Sequence, residues 1–183
     1  MSRRCRCDAP CLHGALSKSG AMIPTAKNTD HPGIPRPKIA VHTRDDYRLF
    51  RSVPTRWADN DVYGHVNNVV YYSWFDTAVN ALLIEQGALD IHHGTTVGFV
   101  VETHCNYFAA LAYPQTVDVG LRVAHIGVSS VRYEIGLFAE GADSAAAQGH
   151  LVHVYVNRLS GRPVPLPATL RHVVDNLHVL IPK

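Results

Sequence analysis

The sequence predicts an α+β fold in which a five-stranded antiparallel sheet wraps around a long central helix, with a short helix near the end of the chain. Three observations support it. One strand-like segment leads directly into an apolar helical stretch, four strand-like segments then follow with short turns between them, and an amphipathic stretch comes last. At 183 residues the chain is long enough for one domain with a sizeable core and short for two. Its hydrophobic fraction of 46% is typical of a soluble globular protein, and no run of about 18 apolar residues marks a membrane span. A formal charge of +2 makes no demand for nucleic acid or an acidic membrane surface as partner.

Residues 1–46 are rich in Pro, Gly, Ser, Arg and Lys, with prolines at 24, 32, 35 and 37 and no sustained hydrophobic period. Such a segment buries too little apolar surface to offset the entropy of ordering it, so a disordered N-terminal tail is expected there. Arg3, Arg4 and Arg6 faintly resemble an organelle-targeting segment, but the apolar stretch of a secretory signal is missing. Cys5, Cys7 and Cys11, with His13, are metal-ligand types. The paired Cys-x2-Cys spacing of a structural zinc site is absent and no second ligand pair follows, so neither a metal nor a disulfide framework is expected.

The folded domain is expected over residues 47–183. Tyr47 to Arg56 has the apolar and β-branched content of a first strand. Val69 to Gln86 reads as a helix of about five turns, with Gly87 where a helix stops. Apolar residues fall all round it, from Val69 and Val70 through Trp74 and Phe75 to Leu82, Leu83 and Ile84, which predicts burial on most sides. Val97 to Phe108 is an apolar run, with Cys105 as a small buried residue within it. Thr116 to Ala124 alternates Val117, Val119, Leu121 and Val123 on one face, and Val128 to Ala139 does so with Val131, Tyr133, Ile135 and Leu137. Ala146 to Leu159 completes the set, and the connections at His125–Gly127 and Gly141–Ser144 are short enough for hairpins. Thr169 to Leu180 spaces Leu170, Val173, Val174, Leu177 and Leu180 as an amphipathic helix that Pro182 closes.

Between the first strand and the helix lies the densest polar group in the chain, Asp59-x-Asp61-x-x-Gly64-His65-x-Asn67-Asn68. Turn chemistry alone accounts for Asp, Asn and Gly ahead of a helix. The same residues also meet the needs of acyl transfer: a carboxylate as nucleophile or base, and N–H donors where negative charge builds on a carbonyl oxygen. The first N–H groups of a helix have no intrahelical partners and stand at the positive end of its dipole. With Asn67 or Asn68 as N-cap, free N–H groups near Asn68 and Val69 would face the loop that holds Asp61.

This string, followed by Tyr71 and Asp76, closely resembles the hotdog-fold acyl-CoA thioesterases of the 4-hydroxybenzoyl-CoA thioesterase type. The resemblance runs from about Tyr47 to Leu166 and takes in Val101-Glu102-Thr103-His104-Cys105-Asn106-Tyr107 and Val128-Ser129-Ser130-Val131-Arg132-Tyr133-Glu134. It implies a five-stranded antiparallel sheet on a central helix, homodimers joined by sheet pairing, homotetramers, and no metal or redox cofactor. It places the catalytic carboxylate on Asp61, the oxyanion-binding amide at or next to Asn68, and nucleotide-side contacts at Ser129 and Ser130. Asp61 either attacks directly or activates water, and the sequence does not choose between them. The expected activity is hydrolysis of an acyl-CoA to a free acid and CoA by a cytoplasmic homo-oligomer.

Around that centre, Asp59 is the runner-up for the working acid, and otherwise holds the loop through backbone hydrogen bonds or tunes Asp61 by like charge. Gly64 makes the turn, and His65 orients the loop, lines the site or serves structure alone. Asn67 and Val69 stand at the helix start where substrate would lie. Tyr71 belongs either to the core or to the wall of an acyl tunnel. Asp76, about two turns into an apolar helix, is costly to bury unpaired and is expected to face a polar partner or the pocket. Arg132 joins Arg122, His125, His150 and Arg158 as candidate donors for the CoA phosphates, each of which serves equally as a plain strand charge. A dehydratase or hydratase of this fold uses an Asp-x4-His pair; here Asn60 stands at that distance from His65, which disfavours it. A non-catalytic acyl-binding protein would keep the tunnel and lose the acid, and Asp61 is present.

Overall fold

The computed structural model describes residues 39–179. The targeting-like arginines and the Cys5–Cys11 cluster, like Leu180 and Pro182, lie outside the described residues. The elements in order are β1 (Leu49–Pro54), α1 (Asn68–Glu85), β2 (Thr96–Tyr107), β3 (Thr116–Ile126), β4 (Ser130–Ala139), β5 (Ala147–Asn157) and α2 (Ala168–Leu177). All strand pairings are antiparallel, and the single five-stranded sheet has the order β1-β3-β4-β5-β2.

The inner face of the sheet follows the alternation of the sequence. Val117, Val119, Leu121 and Val123 of β3 and Val131, Tyr133, Ile135 and Leu137 of β4 are all fully buried. Against them the 18-residue α1 lays Tyr71, Trp74, Phe75, Ala78, Val79, Leu82 and Leu83. Burying a large aliphatic or aromatic side chain in such a layer contributes about 1.5–3 kcal/mol, an upper bound because the unfolded chain is already partly compact. The helix begins where Asn67 accepts a hydrogen bond from Val69 N–H at 3.1 Å. It ends at Gly87, whose φ of +65° is left-handed, with Ala88 N–H donating back to the Leu83 carbonyl at 2.8 Å. Leu170, Val173, Val174 and Leu177 of α2 are buried as expected, and the helix stops at Leu177.

Three expectations need correction. The helix α1 is not buried on most sides, because Val69, Asp76 and Ile84 face solvent and only the sheet-facing half is covered. Strand β2, read as an apolar run, is an edge strand: Phe99, Val100 and Val101 are exposed and only Cys105 is buried, where burial pushes its thiol pKa up to about 11. Apolar identity alone does not say whether a neighbour is there to cover it.

The third correction concerns residues 39–46, assigned to the tail by composition; packing begins at Ile39. Gln148 accepts from His42 N–H at 2.7 Å and donates to the Ala40 carbonyl at 2.9 Å, across 108 positions of sequence. Arg44 pairs with Asp118 at 2.8 Å, and Arg122, 9% exposed, donates to Glu134 at 2.7 Å while its guanidinium lies 5.4 Å from the centre of the Tyr47 ring. This strap leads into Tyr47, which lies over Gly120 and Gly136 on the outer face. A Cβ added at Gly136 would come within 2.5 Å of the Tyr47 ring. Among the described residues no helix is long and apolar enough to cross a membrane.

Candidate active site

The segment between β1 and α1 folds back on itself as a small loop closed by backbone hydrogen bonds. Asp61 N–H donates to the His65 carbonyl at 2.8 Å, Gly64 N–H to the Asp61 carbonyl at 3.2 Å, and Asn67 N–H to the Asp59 carbonyl at 2.8 Å. Gly64 sits at φ +82°, which a glycine adopts without strain and other residues rarely do. Buried Val66 anchors the loop, its N–H donating to the Leu111 carbonyl at 2.8 Å.

The two carboxylates of the motif are used differently. Asp59 accepts from Arg56 N–H at 2.6 Å, which closes the single turn of 3-10 helix at Trp57–Asp59. Asp61 Oδ1 accepts from Tyr63 N–H at 2.8 Å and from His65 N–H at 3.4 Å, while Oδ2 has no partner among the described residues. Asp61 lines a cavity of about 420 Å³ together with Trp57, Asn60, Val62 and Gly64. At the start of α1 the cap is Asn67, so Val69 N–H is occupied and Asn68 N–H is left without an acceptor within the described residues. A carboxylate oxygen without a partner and a helix-terminal N–H without an acceptor thus flank one short loop.

The other expected site residues are distributed more widely. His65 is exposed and contributes its backbone N–H to Asp61. Val69 is 63% exposed at the helix start. Tyr71 is core, packed against Trp74 and Tyr107 at ring separations of 5.6 and 5.0 Å, and is not part of the Asp61 cavity. Asp76 is exposed and finds its polar partner on its own helix, accepting from Asn80 Nδ2 at 2.9 Å. Ser129 and Ser130 form the β3–β4 turn. That turn follows Ile126 at the end of β3, whereas the Asp61 loop follows Pro54, which pairs with Thr116 at the start of β3. Within one chain these serines therefore lie at the opposite end of the sheet from Asp61.

Of the candidate phosphate donors, Arg122 is taken up by Glu134 and the strap. Arg132 lies on the outer face, donating to His150 Nδ1 at 2.9 Å with Glu102 and Glu134 at 3.7 and 3.8 Å. His150 Nε2 meets Glu102 at 2.7 Å, and that hydrogen bond pulls the Glu102 carboxyl below its usual range. Arg158 donates to the Ile91 carbonyl at 2.7 Å, and His125 is exposed.

Two residues that the sequence reading did not single out stand beside Asp61. Trp57 is 81% exposed, and its ring meets Tyr113 edge to face at 5.9 Å and 85°. Asn60 Oδ1 accepts from Tyr113 N–H at 3.0 Å and so ties the second aromatic to the loop. The available signal was a tryptophan lodged in an otherwise polar motif.

The sequence profile of the thioesterase-like superfamily matches residues 55–174, which take in the loop, α1 and strands β2 to β5. The crystal structure of the PA5185 protein from Pseudomonas aeruginosa strain PAO1 is 52% identical in sequence, with a TM-score of 0.75; the match covers 76% of this chain and 97% of that one. The PA2801 protein of Pseudomonas aeruginosa, described as a candidate thioesterase, is 28% identical over 68% of this chain and 96% of its own, with a TM-score of 0.63. Slr0204 from Synechocystis, a 1,4-dihydroxy-2-naphthoyl-CoA thioesterase, shares the fold at 16% identity, covering 70% of this chain and 96% of its own with a TM-score of 0.64.

Proposed function

The chain belongs to the thioesterase-like superfamily and has its hotdog fold, and from that premise we propose that it hydrolyses acyl-CoA to a free carboxylic acid and CoA. The observation that carries this reading is the Asp61 carboxylate, held by backbone N–H groups through one oxygen, in a residue that lines a cavity of the loop leading into α1. A thioester carbonyl with its oxygen at Asn68 N–H would be polarised by the helix end. Asp61 Oδ2 then attacks the carbonyl carbon or takes a proton from an attacking water. The tetrahedral intermediate collapses with loss of the CoA thiolate, which with a thiol pKa of about 8–9 leaves without a strong acid beside it. Direct attack leaves an Asp61 acyl anhydride that water must then open, so ¹⁸O found in the Asp61 carboxylate after single-turnover hydrolysis in ¹⁸O-water identifies that route with water entering at the aspartyl carbonyl, whereas base catalysis puts solvent oxygen only into the product.

A second copy would complete the site. Strand β2 is a sheet edge with Phe99, Val100 and Val101 exposed, and its Tyr107 end adjoins the helix start, where the Tyr107 hydroxyl donates to the Asn68 carbonyl at 3.4 Å. Antiparallel pairing of two such edges about a two-fold axis reverses one sheet relative to the other. The Ser129–Ser130 end of the second copy then lies beside Asp61, which is how these serines would reach the nucleotide. Thiol release across a panel of acyl-CoAs tests the activity; a purified, folded protein that cleaves none of them ends this reading.

A further inference from the structure

We infer that Trp57, backed by Tyr113 and Val62, is the wall that recognises the acyl group, and that it makes the site selective for acyl chains longer than acetyl. This rests on the hydrolase reading of Asp61 and names the substrate feature which that site selects. The cavity that Asp61 lines is lined also by Trp57 and Val62, with Asn60 and Gly64 completing the set. A thioester carbonyl placed at Asp61 has two substituents to accommodate. The pantetheine arm carries amides that need hydrogen-bond partners, whereas Trp57 and Val62 offer apolar surface, so the acyl chain is the substituent that gains by lying there.

Trp57 and Val62 are 81% and 93% exposed, which leaves their apolar area free for a ligand. The indole is nevertheless held in place. The 3-10 turn that carries it is closed by Arg56 N–H to Asp59 at 2.6 Å and Asp59 N–H to the Arg56 carbonyl at 3.0 Å. Its ring abuts Tyr113, which Asn60 ties to the loop. Asn60 also neighbours Asp61 in sequence, so the acid and the aromatic wall are parts of one braced unit. A surface fixed in advance binds an apolar group at lower entropic cost than one that must be ordered on binding. A methyl group at the carbonyl is too short to cover the indole, and each further methylene adds contact.

The test compares kcat/KM for acetyl-, butyryl- and hexanoyl-CoA in the wild type, Trp57→Ala and Trp57→Phe. The expected loss in Trp57→Ala grows with chain length and is about tenfold or more larger for hexanoyl-CoA than for acetyl-CoA, with Trp57→Phe recovering most of it. Equal losses for all three substrates overturn the inference. So does a change in sedimentation with chain-length preference intact, because that assigns Trp57 to a subunit contact. Binding supplies a readout without turnover: in Asp61→Asn, hexanoyl-CoA should change indole emission more than acetyl-CoA does, and Trp57→Phe in the same background should remove the change, leaving only buried Trp74. If no acyl-CoA is cleaved while that binding pattern holds, the hydrolase reading falls and the wall stands. If cleavage occurs and neither cleavage nor binding depends on chain length, the wall falls and the hydrolase reading stands.

Discussion

Tyr47 and Trp57 are aromatic residues ten positions apart in sequence with opposite fates. Tyr47 is 6% exposed, its ring edge to face with Phe138 at 5.7 Å and Phe50 at 6.3 Å and seated over two glycines. Trp57 is 81% exposed and, among the described residues, meets one ring, that of Tyr113. An aromatic side chain gains at least about 1.5–3 kcal/mol by burial, so a fold leaves one in water only at a cost. Tyr47 has its partners within the chain and holds the strap to the sheet. Trp57 has a cavity and a carboxylate beside it, which is the arrangement of a surface that meets something from outside the chain.

Removing each ring is the sharpest way to break this contrast. Tyr47→Ala should lower unfolding stability in denaturant by about 3–5 kcal/mol, and Trp57→Ala should stay within about 0.5 kcal/mol of the wild type. Similar losses in both would show that Trp57 is part of the folded core after all. Next in size is Gly136→Ala. Its Cβ would meet the Tyr47 ring at 2.5 Å, and Phe50 and Phe138 leave that ring little room, so a loss of about 1–3 kcal/mol is expected by the same assay. A neutral outcome would mean that the strap yields easily and stabilises little.

The smallest effect is in pH dependence, and it belongs to the folded side of the contrast. His153 is 1% exposed, and its burial outweighs the pull of the Asp76 carboxylate, so its pKa falls below the ordinary histidine value. His42 in the strap is lowered as well, by burial and then by Arg122. A histidine with a depressed folded pKa is protonated first in the unfolded chain, so its stabilising effect is complete above the unfolded value and declines as pH falls through the window below it. Melting temperature should therefore drop as pH falls below about 6.5, and His153→Gln together with His42→Gln should flatten that slope. An unchanged slope would remove both histidines from the account.

Much of the fold was readable because it depends on local period. Val117 to Val123 and Val131 to Leu137 alternate strictly, and Gly87 marks the end of α1 in a left-handed conformation that glycine adopts freely and other residues rarely do. The strap was not readable, because Ala40 and His42 are held by Gln148, far along the chain, and no window of composition joins them. The exposure of β2 was hidden for the same reason: the edge of a sheet is a fact about strand order, and the residues of β2 look like those of a buried strand. At the site, the Asp59–Asn68 loop was visible as a motif, whereas the choice of Asn67 as cap needed side-chain geometry. That Ser129 and Asp61 stand at opposite ends of the sheet follows only from strand register. The Trp57–Tyr113 pair joins two loops, and its ring contact exists only in the folded chain.

The most direct test is kcat/KM for thiol release from an acyl-CoA by the wild type, Asp61→Asn and Asp59→Asn, read beside their melting curves. Asp61→Asn should lose about 10²–10⁴-fold in activity with little change in melting temperature, because Oδ2, the oxygen proposed to do the chemistry, has no partner among the described residues. Asp59→Asn should lose less activity and more stability, since it closes the turn under Trp57. Full activity in Asp61→Asn, or a larger loss in Asp59→Asn, would contradict the assignment of the chemistry to Asp61.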